Sequence, residues 1–218
     1  DLANLSVNLA NYQIQTRQSR LTGNASVHNL IQPEFDFTSD LKLNLNEIKS
    51  MLPDSIFNKL SGRIAATINT SGTLNLDSIT DYTTEILFNK SFVNIGFEDV
   101  SVEMPNDTVY RIENLSGGIK LSPEFIELNK LSGVLAGIEF AIDSTQISNV
   151  YKSVILNGNE QLLVDTRLSL GELDYQMFAP FMNTDTIVTN EENKKKTEHP
   201  SKNFTMQIKG VAKIKSFT

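Results

Sequence analysis

Apolar and polar residues alternate along most of this chain, with the period of two that is typical of a strand with one buried face. Between residues 35 and 45, for example, the apolar positions include Phe35, Phe37 and Leu41. Alternating stretches are found at residues 5–9, 24–30, 35–45, 60–76, 93–104, 108–113, 115–121, 125–129, 133–142, 154–156, 162–170 and 204–214. Because turn residues separate these stretches, the pattern predicts a mainly β fold. We expect a long, twisted or curved antiparallel sheet that forms a groove or a partly closed roll.

The alternation changes phase within one of the predicted strands. Apolar residues occupy odd positions up to Phe97 and even positions from Val100 onwards, and the change falls at Glu98-Asp99. No turn residue separates the two halves, so the phase change predicts a β-bulge that keeps all the apolar side chains on one face.

A break in the alternation at residues 47–59 predicts two short helical turns on either side of Pro53. Glu47 suits the first turn of a helix because its charge opposes the helix dipole, and proline disfavours helix at the residue before it. Asp54 is a candidate cap for the second turn. The same pattern returns from Leu168 to Pro180, where Glu172 takes the place of Glu47.

This similarity extends upstream of the two helical stretches. Asn4-Leu5-Ser6 precedes Asn114-Leu115-Ser116 by 110 residues, and the offset grows to 125 between Leu43 and Leu168. We interpret residues 4–60 and 114–182 as two divergent copies of one unit, the second with about fifteen extra residues, a size typical of a loop insertion. The chain from 1 to 218 is then a single β-rich unit. Its polar residues 183–203 predict a mobile insertion.

Composition and charge exclude several classes of function. The 218 residues carry a formal net charge of −7, and the only basic run is Lys194-Lys195-Lys196, which argues against a nucleic-acid partner. The chain contains no cysteine, so it has no disulfide, thiolate nucleophile or cysteine zinc site. The longest apolar run, residues 134–142, is too short to span a membrane, and we see no signal peptide. We interpret the chain as a fragment of a longer protein.

Residues suited to catalysis or metal binding are scarce. His28 and His199 are the only histidines, and no His or carboxylate cluster has the spacing of metal ligands. Glu98 and Asp99 are adjacent in a predicted strand, so their side chains point to opposite faces. We therefore expect no enzyme activity, no cofactor and no metal.

The sequence resembles the AsmA-like family of Gram-negative cell-envelope proteins. The resemblance is carried by the repeated strand with its following Glu, Met and Pro, by Leu-Ser-Gly at residues 60–62, 115–117 and 131–133, and by Thr70-Ser-Gly-Thr-Leu-Asn-Leu76. The chain is rich in Asn and Lys, and in this it is similar to family members from the Bacteroidetes.

The resemblance implies a periplasmic sheet curved into an apolar groove, in a parent protein that an N-terminal helix outside this fragment anchors in the inner membrane. It implies a non-enzymatic role in phospholipid transport between membranes or in outer-membrane assembly. The implied partners are phospholipid or another acyl-chain ligand and other envelope proteins.

The apolar positions of the predicted strands are the candidate lipid-lining residues. They are Phe35, Phe37, Leu43, Ile68, Leu74, Ile95, Phe97, Val102, Ile138, Phe140, Met206 and Ile208. The bulky residues of the two helical stretches are candidates for covering the ends of the groove: Met51, Leu52, Met177, Phe178 and Phe181. An ordinary β-sandwich or closed-roll core remains the alternative, because interior packing is the common fate of such side chains.

Two other classes of function stay open at this point. A surface adhesin or carbohydrate-binding β-domain would also be acidic, cysteine-free and rich in Asn and Thr, but it predicts exposed loop aromatics. This chain has no Trp, and Tyr82, Tyr110 and Tyr175 are scattered. A β-helical, polysaccharide-active enzyme would require short regular coils and a carboxylate cluster, and neither is visible in the sequence.

Overall fold

A computed structural model describes residues 2–73, 85–86, 88–105, 107–156, 160–173 and 206–217 of the chain. These residues form one sheet whose ten strands lie side by side in chain order. The strands are β1 (Ser6–Gln15), β2 (Arg20–His28), β3 (Glu34–Asn44), β4 (Lys59–Thr73), β5 (Phe92–Met104), β6 (Asp107–Leu121), β7 (Phe125–Leu135), β8 (Ile138–Ser148), β9 (Leu162–Leu173) and β10 (Met206–Phe217). The mainly β fold predicted from the alternation is confirmed. The sheet is open, with β1 at one edge and β10 at the other.

Eight of the nine strand pairs are antiparallel, and the last pair, β9 with β10, is parallel. A parallel pair needs a connection of a dozen residues or more to return the chain to the same end of the sheet. The stretch from 174 to 205 provides that length. The polar insertion predicted at residues 183–203 belongs to this connection and lies outside the described residues.

The α-helix α1 (Leu45–Met51) follows β3 directly. Asn44 caps it, because its side chain accepts hydrogen bonds from the backbone N–H groups of Asn46 and Glu47 at 3.0 and 3.3 Å. The helix ends just before Pro53, as predicted. Residues 54–56 form only a turn, in which the N–H of Ile56 donates to the carbonyl of Pro53, so the predicted second helical turn capped by Asp54 is wrong.

The bulge predicted at Glu98-Asp99 is present. The β5–β6 register shifts between Phe97 and Val100, and Asp99 has a φ of 50°. Gly62 on the neighbouring strand β4 has a φ of 97°, and a Cβ at this position would collide with the carbonyl oxygen of Asp99. The glycine of Leu60-Ser61-Gly62 is therefore required by the close approach of the bulged strand.

Three other strand predictions need correction. The single strand predicted at residues 133–142 is split by a two-residue turn at Ala136-Gly137, where both φ angles are positive, as a tight hairpin requires. Residues 108–113 and 115–121 form one strand, β6, with Asn114 at a φ of 52° in place of a break. The strand predicted at 154–156 is instead covered largely by a single π-helical turn, Tyr151–Ile155.

Candidate functional site

The strand register places apolar residues from all ten strands on one face of the sheet. Residues that are directly opposite in an antiparallel pair share a face, so the pairing can be followed from strand to strand. One row crosses five strands through Leu41, Ala66, Ile95, Ile119 and Leu128. Another crosses the last three strands through Phe140, Leu170 and Ile214. We call this surface the apolar face.

The register brings the predicted lining residues together on the apolar face. Leu43 is opposite Ile64, which is opposite Phe97, and Ile68 is opposite Val93. The bulge keeps Val102 on the same side, because Val102 packs with Phe97 against one buried cluster. The residues placed on this face are Phe35, Phe37, Leu43, Ile68, Ile95, Phe97, Val102, Ile138, Phe140, Met206 and Ile208. Leu74 lies outside the described residues.

The described residues form no second layer over the middle of the apolar face. The main contacts of every strand are with its neighbours in the sheet. Towards the edges the apolar side chains are open to solvent, with exposed fractions of 55% for Val7 on β1 and 62% for Ile208 on β10. A sandwich core would be covered by a second sheet, and the part of the chain described here supplies none.

One end of the apolar face is covered by α1 and the turn that follows it. Leu45 of α1 is buried against Leu60 and Val100 of the sheet, and its exposed fraction is 6%. Around these three residues pack Ile48, Leu52 and Phe57 from the cover and neighbouring residues of the sheet. We call this assembly the α1 cover. Its three buried residues, Leu45, Leu60 and Val100, form one apolar cluster.

The opposite end of the apolar face is covered by residues around Ile86. Ile86 is buried and, like Phe35, lies directly over Gly72 of β4. Ser91 fixes this segment, since its hydroxyl is 2.8 Å from the hydroxyl of Thr70 and donates to the carbonyl of Ile86 at 3.0 Å. Beside it the rings of Phe88 and Tyr151 stack, with centroids 6.2 Å apart. These two rings border a cavity of about 270 Å³.

The two covers lie at either end of a stretch of the apolar face over which the described residues form no second layer. They are centred on Leu60 and Gly72 of β4, roughly 40 Å apart at a rise of about 3.3 Å per residue. Across the strands the sheet measures roughly 43 Å, from ten strands spaced about 4.8 Å apart. Both dimensions exceed the hydrocarbon core of a bilayer, which is about 30 Å thick. One acyl chain spans about half of that core, so its length is smaller than either dimension.

The structure separates the candidate cover residues. Leu52 packs into the α1 cover, whereas Met51 turns outward with an exposed fraction of 59%. The stretch that holds Met177, Phe178 and Phe181 lies outside the described residues. The cover instead uses Leu45 and Ile48, which the sequence signals through their spacing of three residues on one helix face.

Glu47 fastens α1 to the turn between β1 and β2, a role that the sequence analysis missed. Its carboxylate accepts hydrogen bonds from the hydroxyls of Thr16 and Ser19 at 2.6 and 2.7 Å. It also accepts from the backbone N–H groups of Arg17 and Gln18 at 2.9 and 3.2 Å. The two hydroxyl donors, followed by these N–H groups, hold the pKa of Glu47 below its ordinary value of 4.5. The carboxylate is occupied by the turn, which indicates a structural role.

Glu172 differs from Glu47, although the two occupy equivalent positions in the repeat. Glu172 lies in strand β9, so the prediction that it starts a helix is wrong for this residue. Its side chain is 71% exposed and forms an ion pair of 3.7 Å with Lys215 on β10. Strand β9 continues through this position because β10 pairs with it up to Leu173.

Within the described ranges, no three His, Asp or Glu side chains come close enough together to hold a metal ion. None of the helices in those ranges is long and apolar enough to cross a membrane. Comparison of the chain with protein-family models, with curated proteins and with solved structures found no match.

Proposed function

We propose that this chain is a non-enzymatic, periplasmic segment of an AsmA-like protein whose apolar face binds the acyl chains of phospholipid. In this role it supports phospholipid transport between membranes or outer-membrane assembly, and the parent protein is anchored in the inner membrane. The observation that carries the proposal is the apolar face itself. It runs across ten strands and is covered at two ends by α1 and Ile86, and the described part of the chain forms no second layer between them.

The physical argument begins with the cost of exposing this face to water. Burial of apolar surface contributes about 25 cal/mol per Å², and exposed apolar patches above a few hundred Å² mark binding sites. Acyl chains can cover such a surface, but they offer no hydrogen-bonding partners. The sheet suits such a ligand, because its strands pair their backbone groups with one another and present side chains to the ligand.

Adjacent alanines in β4 offer a matched test of the proposal. Ala66 lies on the apolar face opposite Ile95, and Ala65 lies on the other face opposite Gly96. The chain has no cysteine, so Ala66→Cys or Ala65→Cys creates a single labelling site. We expect an environment-sensitive fluorophore on residue 66 to shift to the blue when phosphatidylethanolamine in mild detergent is added, and the same dye on residue 65 to show no shift.

Native mass spectrometry of gently extracted protein gives a second measurement. We expect phospholipid to remain bound to the unlabelled chain and to be released by Ile95→Asp, which introduces a charge in the middle of the apolar face. The matched control is Asn94→Asp, one residue away on the opposite face. Equal responses at residues 65 and 66, together with a lipid-free native chain, would contradict the proposal.

A further inference from the structure

The cavity beside Phe88 and Tyr151 is continuous with the apolar face. Its lining includes Leu121 of β6 and Ile126 of β7, which are directly opposite each other in the sheet. We call it the ring cavity. Leu121 and Ile126 belong to one apolar row that crosses seven strands through Ile68, Val93, Leu121, Ile126, Ile147, Val164 and Ile208.

The described residues that line the ring cavity also carry one charge of each sign. Glu124 comes from the turn between β6 and β7, and Lys152 comes from the π-helical turn that follows β8. A hydrocarbon ligand offers neither group a partner. A zwitterionic group, with an ammonium for the carboxylate and a phosphate for the lysine, offers a charge-assisted hydrogen bond to each.

The turn that carries Glu124 is held in place by Ser122. The N–H of Ser122 donates to the carbonyl of Phe125 at 2.9 Å, and the N–H of Phe125 donates to the hydroxyl of Ser122 at 3.3 Å. Proline at position 123 suits the second residue of such a turn, because its ring fixes φ. The sequence Ser-Pro-Glu-Phe therefore places the carboxylate at this end of the apolar face.

The other side of the ring cavity suits a ligand that carries both charges. Lys152 pairs with Glu160 at 3.2 Å, but both side chains are about half exposed, and such pairs contribute little, so the ammonium can turn to a phosphate. The stacked rings of Phe88 and Tyr151 border the same space. Aromatic faces attract ammonium groups.

The dimensions match those of a phospholipid. The ring cavity holds about 270 Å³, roughly nine water molecules at about 30 Å³ each, and a phosphoethanolamine group has a similar number of non-hydrogen atoms. From Leu121 to Leu115, which packs against the α1 cover, β6 runs roughly 20 Å at about 3.3 Å per residue. An acyl chain spans about 15 Å, half of a bilayer core, and fits between the two.

We propose that the ring cavity is a headgroup site for a zwitterionic phospholipid of the phosphatidylethanolamine class. Glu124 binds the ammonium, Lys152 binds the phosphate, and the acyl chains run from Leu121 and Ile126 towards the α1 cover. This inference rests on the proposed function, to which it adds the class of lipid and the direction in which it lies.

Lipid selectivity tests the headgroup site. The dye on Ala66→Cys reports acyl chains on the apolar face, so its response can be titrated with phosphatidylethanolamine, phosphatidylglycerol and diacylglycerol in the same mild detergent. We expect half of the response at a concentration of phosphatidylethanolamine about three- to fivefold lower than for the other two lipids. One exposed charge pair has an effect of about this size.

Two variants in the same labelled chain assign the selectivity to the ring cavity. Glu124→Gln should abolish the preference for phosphatidylethanolamine over phosphatidylglycerol, and Lys152→Gln should weaken both phospholipids but not diacylglycerol. Both residues are exposed, so the unfolding midpoint should stay unchanged. The matched controls are Glu127→Gln and Lys120→Gln, which make the same changes of charge at directly opposite residues on the other face of the sheet.

The direction of the lipid can be measured separately, because the chain contains no cysteine and Asn89→Cys places a dye at the ring cavity. We expect phosphatidylethanolamine brominated beside the ester to quench this dye more than the same lipid brominated at the methyl end. The reverse order would overturn the proposal.

The selectivity experiment separates this inference from the proposed function. Equal midpoints for the three lipids, or a Glu124→Gln variant that behaves like Glu127→Gln, would overturn the headgroup site and leave the binding of acyl chains in place. A dye on residue 66 that responds to none of the three lipids would contradict both.

Discussion

The stretches from Leu43 to Pro53 and from Leu168 to Pro180 share a sequence pattern, but their described portions have different structures. In the first stretch the chain leaves β3 and forms α1, whose Glu47 accepts four donors from the β1–β2 turn. In the second, β9 continues past the equivalent position, and the exposed Glu172 forms an ion pair with Lys215 at 3.7 Å. The two stretches differ because their surroundings differ. Glu47 lies beside the donors of the β1–β2 turn, whereas β10 pairs with β9 at Glu172.

Shortening the two equivalent leucines should give the largest contrast between the stretches. Leu45→Ala removes a side chain that is 6% exposed, and we expect a loss of roughly 2–5 kcal/mol in the free energy of unfolding. Leu170→Ala shortens a partly exposed residue of the apolar face, for which we expect roughly 1–2 kcal/mol. Urea unfolding followed by circular dichroism measures both. Equal losses would show that the α1 cover is no better packed than the open face.

The glutamates themselves should give the next largest contrast. Glu47→Gln replaces an acceptor of four hydrogen bonds with an amide whose NH₂ group faces donors, so we expect a lower unfolding midpoint at neutral pH. The amides of Arg17 and Gln18 should also exchange faster. The folded-state pKa of Glu47 is depressed, so its carboxylate stabilises the fold fully at a pH above the ordinary pKa of 4.5. This stabilisation disappears as the pH falls through the lower, folded-state pKa. The midpoints of the native protein and Glu47→Gln should therefore converge in acid.

Glu172→Gln is the control for that experiment. It makes the same chemical change in an exposed side chain, so the amides of the β1–β2 turn should exchange at the native rate. A pH-independent difference between the native protein and Glu47→Gln would contradict the assignment of the effect to the carboxylate.

The parts of the fold that could be predicted are those in which neighbouring residues carry the signal. The bulge at Glu98-Asp99 was visible because the apolar positions change phase there, and α1 because Pro53 ends it. The hairpin at Ala136-Gly137 was missed because alanine seldom adopts a positive φ, so its neighbours read as a continuous strand. The π-helical turn at Tyr151–Ile155 was missed because three apolar residues in a row do not distinguish a strand from a helix.

The candidate site was predictable only in part, because its geometry depends on distant contacts. Alternation assigned Phe37 and Ile95 to the apolar side of the strands, and the register placed them on one face. Alternation cannot reveal whether a second sheet covers that face, nor that β10 pairs parallel with β9. The donors to Glu47 lie 28 to 31 residues away in sequence, so no local sequence pattern predicts them.

The smallest effect on stability is expected from Lys215, the partner of Glu172. Lys215→Ala removes the ion pair with Glu172, in which both side chains are 71% exposed. Exposed pairs contribute about 0–1 kcal/mol, since solvent screens the charges and two long side chains must be ordered. We expect the unfolding midpoint to change within error, and sodium chloride to have no effect on the difference between variant and native protein. A clear, salt-sensitive loss would mean that the end of β9 is held by its charges, as the β1–β2 turn is held by Glu47.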